Sequence, residues 1–283
     1  MQYLETEEKW FQNPVMSKLK IRASYGELGA NFLNPYNFDA IAYGPIPYTV
    51  GGERYVTGRA AYLKSKDLKW ETAKTTDIGI ELGFFNNDLT LSLDYFVKKN
   101  VDLLAQIDLN LSSGQIFEIN SSREKPYVNT ASVKNTGWEF MMNYRKQLTK
   151  DFHIDATFNI ATLKNKVLSL GENVQPITSG AMSSYFNDAA SITMPGEAIG
   201  SFYGYKIDGF DAEGNFIFAD MDKNGVVNAN DKVILGSPIP DFTYGLNINM
   251  EYKDFDLTVF FQGVQGNDIF NQKKYTYYFD YSN

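Results

Sequence analysis

In the stretch LTLSLDYFV at 89–97, every second residue from Leu89 to Val97 is apolar or aromatic. A repeat of two places successive side chains on opposite sides of a pleated strand, whereas one face of a helix repeats every 3.6 residues. The stretch therefore predicts a β-strand with one oily face and one wetter face. The apolar face carries Leu89, Leu91, Leu93, Tyr95 and Val97.

Seven segments of the chain show this alternation, and helical spacing is absent from all of them. Most exceed the roughly 5–6 residues usual in soluble strands and match the roughly 9–11 that a tilted strand needs to cross a bilayer. The segments are 18–26, 72–84, 89–107, 134–147, 152–166, 241–252 and 255–265.

The connections between these segments alternate in length. Short links lie at 85–88, 148–151 and 253–254, and long ones fill 27–71, 108–133 and 167–240. Short turns on one side and long loops on the other are typical of bacterial outer-membrane barrels. The sequence therefore predicts an all-β fold, an antiparallel up-and-down transmembrane β-barrel segment with long extracellular loops.

The number of strands predicts an incomplete barrel. Bacterial single-chain barrels usually have an even number of strands, eight or more, and the sequence supplies seven candidates. We interpret residues 1–283 as part of one barrel domain, in which 167–240 is a long extracellular loop region.

Composition and charge exclude several classes of protein. The net charge of −8 argues against nucleic acid, since phosphate binding needs a basic surface. Apolar runs are too short for a membrane-spanning helix, and the first 20 residues have no apolar stretch typical of a signal peptide. Aromatic residues make up 15% of the chain and glycines number 22, which suits many strands joined by turns.

Five separated stretches carry a likeness to a known family. They are KLKIRASYGELG (18–29), 68–104, NTGWEFMMNYR (135–145), IGSFYGYKIDGF (199–210) and 220–271. In order and spacing they resemble the SusC/RagA family of TonB-linked outer-membrane transporters of Bacteroidetes-type bacteria. The resemblance covers nearly the whole chain except the segments near 30–65 and 170–195.

The resemblance implies a function that composition alone does not. Members are similar to plugged porins, with a barrel of about 22 strands and an N-terminal plug. They import oligosaccharides or peptides with energy delivered by TonB, under a lid-like lipoprotein of the SusD type. On this likeness we expect the plug domain and the TonB-contacting segment to be absent from the chain, which corresponds to part of the C-terminal half of the barrel.

One motif suggests a metal. Residues 220–231 follow the calcium-loop pattern D-x-[DN]-x-[DN]-G-x5-E, with an Asp in place of the final Glu. Oxygen donors at this spacing can surround one Ca²⁺, which would be structural here, and the shorter Asp predicts weaker affinity. A solvated turn without an ion explains the same residues. The predicted ligands are Asp220, Asp222, Asn224, the Val226 carbonyl, Asn228 and Asp231.

Three aromatic residues are candidates for substrate binding. Tyr203, Tyr205 and Phe210 lie in the Gly-containing segment FYGYKIDGF, where their rings could stack on the C–H faces of sugars. The alternative is a packed structural segment in which glycines allow a close approach of the backbone.

Signals for an enzyme are weak. His153 is the only histidine, the chain has no cysteine, and no G-x-S-x-G motif accompanies His153. We therefore predict a lumen-facing, solvated His153 and no catalytic role for the chain.

The sequence thus predicts part of a TonB-dependent outer-membrane transporter for glycans or peptides. Its expected partners are a SusD-like lipoprotein, the TonB complex and outer-membrane lipid. The alternative is a secreted or surface β-sheet protein that binds carbohydrate and is stabilised by calcium. The apolar strand faces decide between the two, because they meet lipid in the first case and a second protein layer in the other.

Overall fold

The computed structural model describes residues 2–5, 15–31, 42–60, 68–106, 127–171, 174–181, 189–271 and 273, and their regular structure is almost entirely β-strand. In chain order the strands are β1 (Gln2–Glu5), β2 (Met16–Ala30), β3 (Ala42–Val50), β4 (Glu53–Ala60), β5 (Glu71–Phe84), β6 (Leu89–Gln106), β7 (Tyr127–Thr149), β8 (Phe152–Thr162), β9 (Lys164–Ser169), β10 (Ile177–Ala181), β11 (Ala189–Thr193), β12 (Ser201–Tyr205), β13 (Ile207–Phe210), β14 (Phe216–Phe218), β15 (Lys232–Gly236), β16 (Phe242–Tyr252) and β17 (Phe255–Gln265). A 3-10 turn at Ala229–Asp231 precedes β15. Within the described ranges, no helix is long and apolar enough to cross a membrane.

The main sheet is an antiparallel wall of nine strands. Eight of them follow the order β1-β2-β5-β6-β7-β8-β16-β17, and β9 pairs beside them with β7. Chain neighbours pair at β5-β6-β7-β8 and at β16-β17, which is the up-and-down connectivity predicted from the sequence. The described strands leave the sheet open, as expected of an incomplete barrel.

All seven predicted segments are strands of this wall, with corrected ends. β2 continues to Ala30 and β7 begins at Tyr127, so the wall extends into regions predicted as loops. The segment predicted as one strand over 152–166 is two strands, β8 and β9, separated at Leu163. The Leu163 N–H donates to the Asp241 carbonyl at 3.1 Å, just where β16 begins to pair with β8.

The register of the wall aligns the apolar positions of neighbouring strands. One continuous row, in Cα register from β2 to β16, consists of Ile21, Ile80, Leu93, Phe140, Ile160 and Tyr244. Because side chains alternate along each strand, the same register produces one apolar face and one polar face.

The apolar face has no second protein layer among the described residues. Ile78 and Leu257, on strands far apart in the wall, are each 54% exposed. The buried apolar side chains lie elsewhere, towards the long connections: Ala131, Val133, Val167, Leu170 and Ile192. An exposed apolar face of this extent suits contact with lipid and contradicts the packing of a soluble β-sandwich.

The three short links lie side by side on one rim of the wall. The Arg145 N–H donates to the Asp88 carbonyl at 2.7 Å, and the Lys253 N–H donates to the Asp151 carbonyl at 2.9 Å. The link at 85–88 turns sharply, with three successive residues in the left-handed region at φ values of 54°, 56° and 67°. The long connections therefore share the opposite rim.

The long connections contain short paired strands in addition to loops. β3 and β4 form a hairpin in the first long connection. Between β8 and β16, β10-β11-β12-β15 form a four-stranded sheet and β13-β14 form a hairpin. A small core of Ala131, Val133, Val167 and Leu170 joins the start of β7 to this region.

Candidate functional site

The polar face of the wall carries an ion-pair network across three strands. Arg22 on β2 donates through Nε to Asp94 Oδ1 on β6 at 3.0 Å and also pairs with Glu81 on the intervening β5. Lys18 Nζ lies 3.0 Å from Glu81 Oε2. Asp94 is only 8% exposed, so these donors take the place of water around its carboxylate.

Gly79 makes room for this network. It lies in register between Arg22 and Asp94, on the same face of β5. A Cβ atom at Gly79 would lie 1.9 Å from Asp94 Oδ1 and 2.7 Å from Arg22 Nε. The missing side chain at Gly79 therefore lets the Arg22 guanidinium reach over β5 to Asp94, a contact that sequence spacing alone does not predict.

The polar face of β7, β8, β16 and β17 has a different chemistry. Two adjacent rows there contain no charged side chain, and we call them the uncharged patch. In Cα register the rows are Met141, Asn159, Gly245, Gln262 and Asn143, Thr157, Asn247, Phe260. Asn143 Nδ2 donates to Thr157 Oγ1 at 2.8 Å, and the Phe260 ring is 61% exposed.

The calcium-type loop brings three of its predicted ligands together. Carboxylate oxygens of Asp220, Asp222 and Asp231 lie within 4.8 Å of one another. The described residues on either side of the loop form no helix pair: β14 precedes the loop, and a 3-10 turn and β15 follow it.

Hydrogen bonds within the loop hold these carboxylates in place. Asp231 is fully buried, and it accepts the N–H groups of Met221 at 2.8 Å and Asn228 at 2.7 Å. These bonds, first that from Asn228, hold the pKa of Asp231 below its usual range. Asp220 accepts the Gly225 N–H at 2.7 Å, and Gly225 has φ +86°.

The other predicted ligands make contacts within the loop. Asn224 Oδ1 accepts the Val226 N–H at 2.8 Å, and the Val226 carbonyl accepts Asn228 Nδ2 at 3.1 Å. Asn228 Oδ1 accepts the Asn230 N–H at 2.9 Å and caps the 3-10 turn. Both starting interpretations, calcium loop and hydrogen-bonded turn, fit this geometry, and calcium binding stays a prediction.

The predicted aromatic residues separate into two groups. Tyr205 and Phe210 belong to a row of rings with Phe216 and Phe218, with centroid distances of 5.6 Å (Tyr205 to Phe218), 6.2 Å (Phe218 to Phe216) and 5.3 Å (Phe216 to Phe210). Tyr203 is half-buried in β12, in register with Ile234. Phe216 and Phe218 were not predicted as part of this row, although their i, i+2 spacing in FIF is a local signal.

His153 lies on the polar face, as predicted, in register with Gln147 and Glu251. In the described part of the chain, the group of acidic or histidine side chains close enough to hold a metal is that of Asp220, Asp222 and Asp231. Neither of these positions nor the ion-pair network has the arrangement of a nucleophile with its base.

Comparison with known proteins agrees with the wall geometry. The family model for the TonB-dependent receptor-like β-barrel matches residues 15–283. TonB-dependent receptor P3 of Formosa agariphila is 36% identical over 89% of this chain and 26% of its own length. TonB-dependent receptor SusC of Bacteroides thetaiotaomicron is 30% identical over 90% of this chain and 26% of its own length. The chain thus spans about a quarter of these relatives.

Solved structures show the same fold. The RagAB peptide importer in its open-open state superposes with a TM-score of 0.75 at 21% identity, over 94% of this chain and 28% of that one. Its closed-closed state gives 0.70 at 22% identity, again over 94% of this chain and 28% of that one. With an antiparallel wall that has one apolar and one polar face, and with a family match over nearly its whole length, the chain belongs to the TonB-dependent receptor-like β-barrel family, as a part of the barrel.

Proposed function

We propose that this chain is a section of the wall of an outer-membrane importer that takes up glycans, or peptides, with energy delivered by TonB. The observation that carries the proposal is the continuous register that gives the wall one apolar and one polar face. In hydrocarbon a sheet must satisfy its backbone groups between strands and present apolar side chains outwards. The polar face then borders the conduit.

The expected partners follow from the same proposal. Lipid meets the apolar face, and a SusD-like lipoprotein sits at the rim of the long connections, on the extracellular side. The likeness to SusC and to the RagAB importer supports a partner of this kind. We assign the described residues a role as scaffold and conduit, without catalysis.

Matched single-cysteine variants test the orientation of the wall. These 283 residues contain no cysteine, so a Leu257→Cys or Thr258→Cys substitution adds one thiol to them, and any cysteine elsewhere in the full-length receptor is first replaced by serine. These neighbouring residues of β17 lie on opposite faces, since Leu257 is in register with Met250 and Thr258 with Asn249. In the full-length receptor, embedded in outer membranes, we expect a membrane-impermeant maleimide to label Thr258→Cys and a lipid-soluble maleimide to label Leu257→Cys.

Equal labelling of both positions by the impermeant reagent would contradict a lipid-facing apolar surface and favour the soluble carbohydrate-binding alternative. Uptake is tested separately, by deleting the receptor gene and measuring growth on single glycans and on peptides. We expect loss of growth on one nutrient, and the same loss when TonB is removed. Unchanged growth on every nutrient would contradict the import function.

A further inference from the structure

We propose that a row of lysines on the lipid-facing side of the wall binds the phosphate groups of an anionic lipid in the outer leaflet of the membrane. This site rests on the orientation proposed above, with the apolar face in lipid and the long connections on the extracellular side. We call it the lysine row, and from β5 to β9 it consists of Lys74, Lys99, Lys134 and Lys166.

The register of the sheet brings these four lysines side by side on one face. Lys74 on β5 is the Cα partner of Lys99 on β6. Lys99 in turn pairs with Lys134 on β7, and Lys134 pairs with Lys166 on β9. Neighbouring strands lie about 4.8 Å apart, so the row spans roughly 14 Å. Lys164, two residues before Lys166 on β9, adds a fifth ammonium group on the same face.

A row of like charges is unfavourable in a sheet unless an anion compensates it. Like charges directly opposite each other on neighbouring strands are destabilising, and this contact occurs three times in succession along the row. Glu27 Oε1 lies 3.1 Å from Lys74 Nζ, and Asp102 also attracts Lys74. The other three lysines of the row have no acidic ion-pair partner among the described residues, although the net charge of the chain is −8.

The lysine row lies where the apolar face ends. On β6 this face extends from Leu89, beside a short link, to Val97, and Lys99 is the next residue on it. Lys99 is ten residues beyond Leu89. At about 3.4 Å per residue and a tilt of about 40°, that separation corresponds to a height of roughly 26 Å. The apolar band of a membrane barrel is about 25 Å tall, so the row lies at the level of the lipid headgroups.

The side chains on either side of the row support this level. On the hydrocarbon side, Tyr95 and Trp138 are Cα partners with ring centroids 4.7 Å apart, each four residues from the row on its own strand. Exposed aromatic rings of this kind favour the boundary between hydrocarbon and headgroups. On the other side of the row, Ser132 Oγ lies 2.8 Å from Ser169 Oγ. Rings, ammonium groups and hydroxyl groups thus follow one another in the order of the acyl chains, phosphates and sugars of a glycolipid.

The two ends of the same face differ in how their cations are neutralised. At the short-link end of β7, Lys146 Nζ lies 2.9 Å from Asp88 Oδ2. At the other end of β7, Lys134 has lysines as its partners on both sides. A lysine ammonium group is a compact charge with three rotatable donors, which suits phosphate oxygens. Because the row continues directly into the apolar face, an anion that carries acyl chains fits it better than a soluble anion or an acidic protein.

The test compares two neighbouring lysines of β6 on opposite faces. Lys99→Gln removes a charge from the lysine row, whereas Lys98→Gln removes another exposed charge from the polar face. The purified full-length receptor is stripped of lipid in a neutral detergent. It is titrated with phosphorylated lipid A, with the same lipid after enzymatic dephosphorylation and with inorganic phosphate, and the affinities are measured by calorimetry.

We expect phosphorylated lipid A to bind, Lys99→Gln to weaken its binding about fivefold, and Lys98→Gln to leave it unchanged. A triple variant, with Lys99, Lys134 and Lys166 all replaced by Gln, should weaken binding about a hundredfold. Without lipid, guanidinium unfolding should show the triple variant to be at least as stable as the wild type, because it relieves the repulsion within the row.

Several results would overturn the proposal. They are no binding of lipid A, equal affinity for the dephosphorylated lipid, inorganic phosphate that binds as tightly as the lipid, equal effects of Lys98→Gln and Lys99→Gln, and a triple variant that is less stable without lipid. A receptor that imports its nutrient and does not bind lipid A would remove this site alone. Labelling of Leu257→Cys by the impermeant maleimide would instead remove the proposed orientation of the wall, and the site with it.

Discussion

Gly79→Ala should destabilise the wall by disrupting the ion pairs that cross β5. The added methyl group would lie 1.9 Å from Asp94 Oδ1 and 2.7 Å from Arg22 Nε, well inside contact distance. The backbone of β5 is held in register on both sides, so the side chains must move, and the 3.0 Å hydrogen bond between Arg22 and Asp94 opens.

The expected cost follows from the burial of these groups. Overpacking a tight site costs about 1–3 kcal/mol, and Asp94, at 8% exposed, has little access to water once its partner moves. Arg22 retains Glu81, which limits the loss. We therefore expect the free energy of unfolding to fall by about 2 kcal/mol.

Guanidinium unfolding of the full-length receptor in detergent measures this effect through a lower midpoint at unchanged slope. The matched control is Gly26→Ala. Gly26 lies on β2, on the polar face of the wall that also carries Gly79, and an added methyl group there meets nothing within 4 Å. It should shift the free energy by no more than about 0.5 kcal/mol. Combining Gly79→Ala with Asp94→Ala should cost less than the sum of the two single changes, since the second removes the clashing carboxylate.

Equal stability of Gly79→Ala and Gly26→Ala would refute the reasoning. Strict additivity of the double variant would also refute it, because the two changes act through one contact only if they couple.

Three further predictions concern the connections of the wall. Titration calorimetry with calcium chloride should show millimolar or tighter uptake that Asp222→Asn abolishes, and absence of uptake by the unmodified receptor would remove the metal from the loop 220–231. The side chain and backbone of Asn215 lower the pKa of Asp211, so the ordering of the β13-β14 turn should be complete above pH 3.8 and be lost as pH falls through the lowered pKa. Hydrogen-exchange protection factors of the turn, corrected for the intrinsic effect of pH, measure this; factors that stay constant in acid, or that are the same in Asp211→Asn, would contradict it. Lys253 has φ +54° in a short turn, so Lys253→Gly should stabilise the β16-β17 hairpin by several tenths of a kcal/mol in the guanidinium assay, and a loss of stability would show that the lysine side chain is needed there.

The main sheet was predictable from the sequence because alternation is a local signal. In a long strand such as 89–97, the alternation shows which side chains share a face. A short turn such as 253–254 shows which two strands pair. The β3-β4 hairpin also had a local signal, since Gly51 and Gly52 adopt φ values of 62° and 85° between the two strands.

The ion-pair network and the uncharged patch depend on contacts between residues that are far apart in the sequence. Arg22 and Asp94 meet only after β2 and β6 are placed on either side of β5 at Gly79. The uncharged patch arises in the same way, because Asn159 and Gln262 come together only across β16. Sequence spacing carries no record of such neighbours, whereas the calcium-type loop, whose residues are all local, was recognisable in advance.

The junction between β8 and β16 has a consequence for how this wall evolves. The two strands pair in unbroken register from Phe152 to Thr162, although β9 to β15 intervene in the chain. The entropy lost on closing a loop grows only with the logarithm of its length, about 0.6 kcal/mol for each doubling. Whole subdomains can therefore be gained, lost or exchanged between β8 and β16 without disturbing the pairing of these two strands.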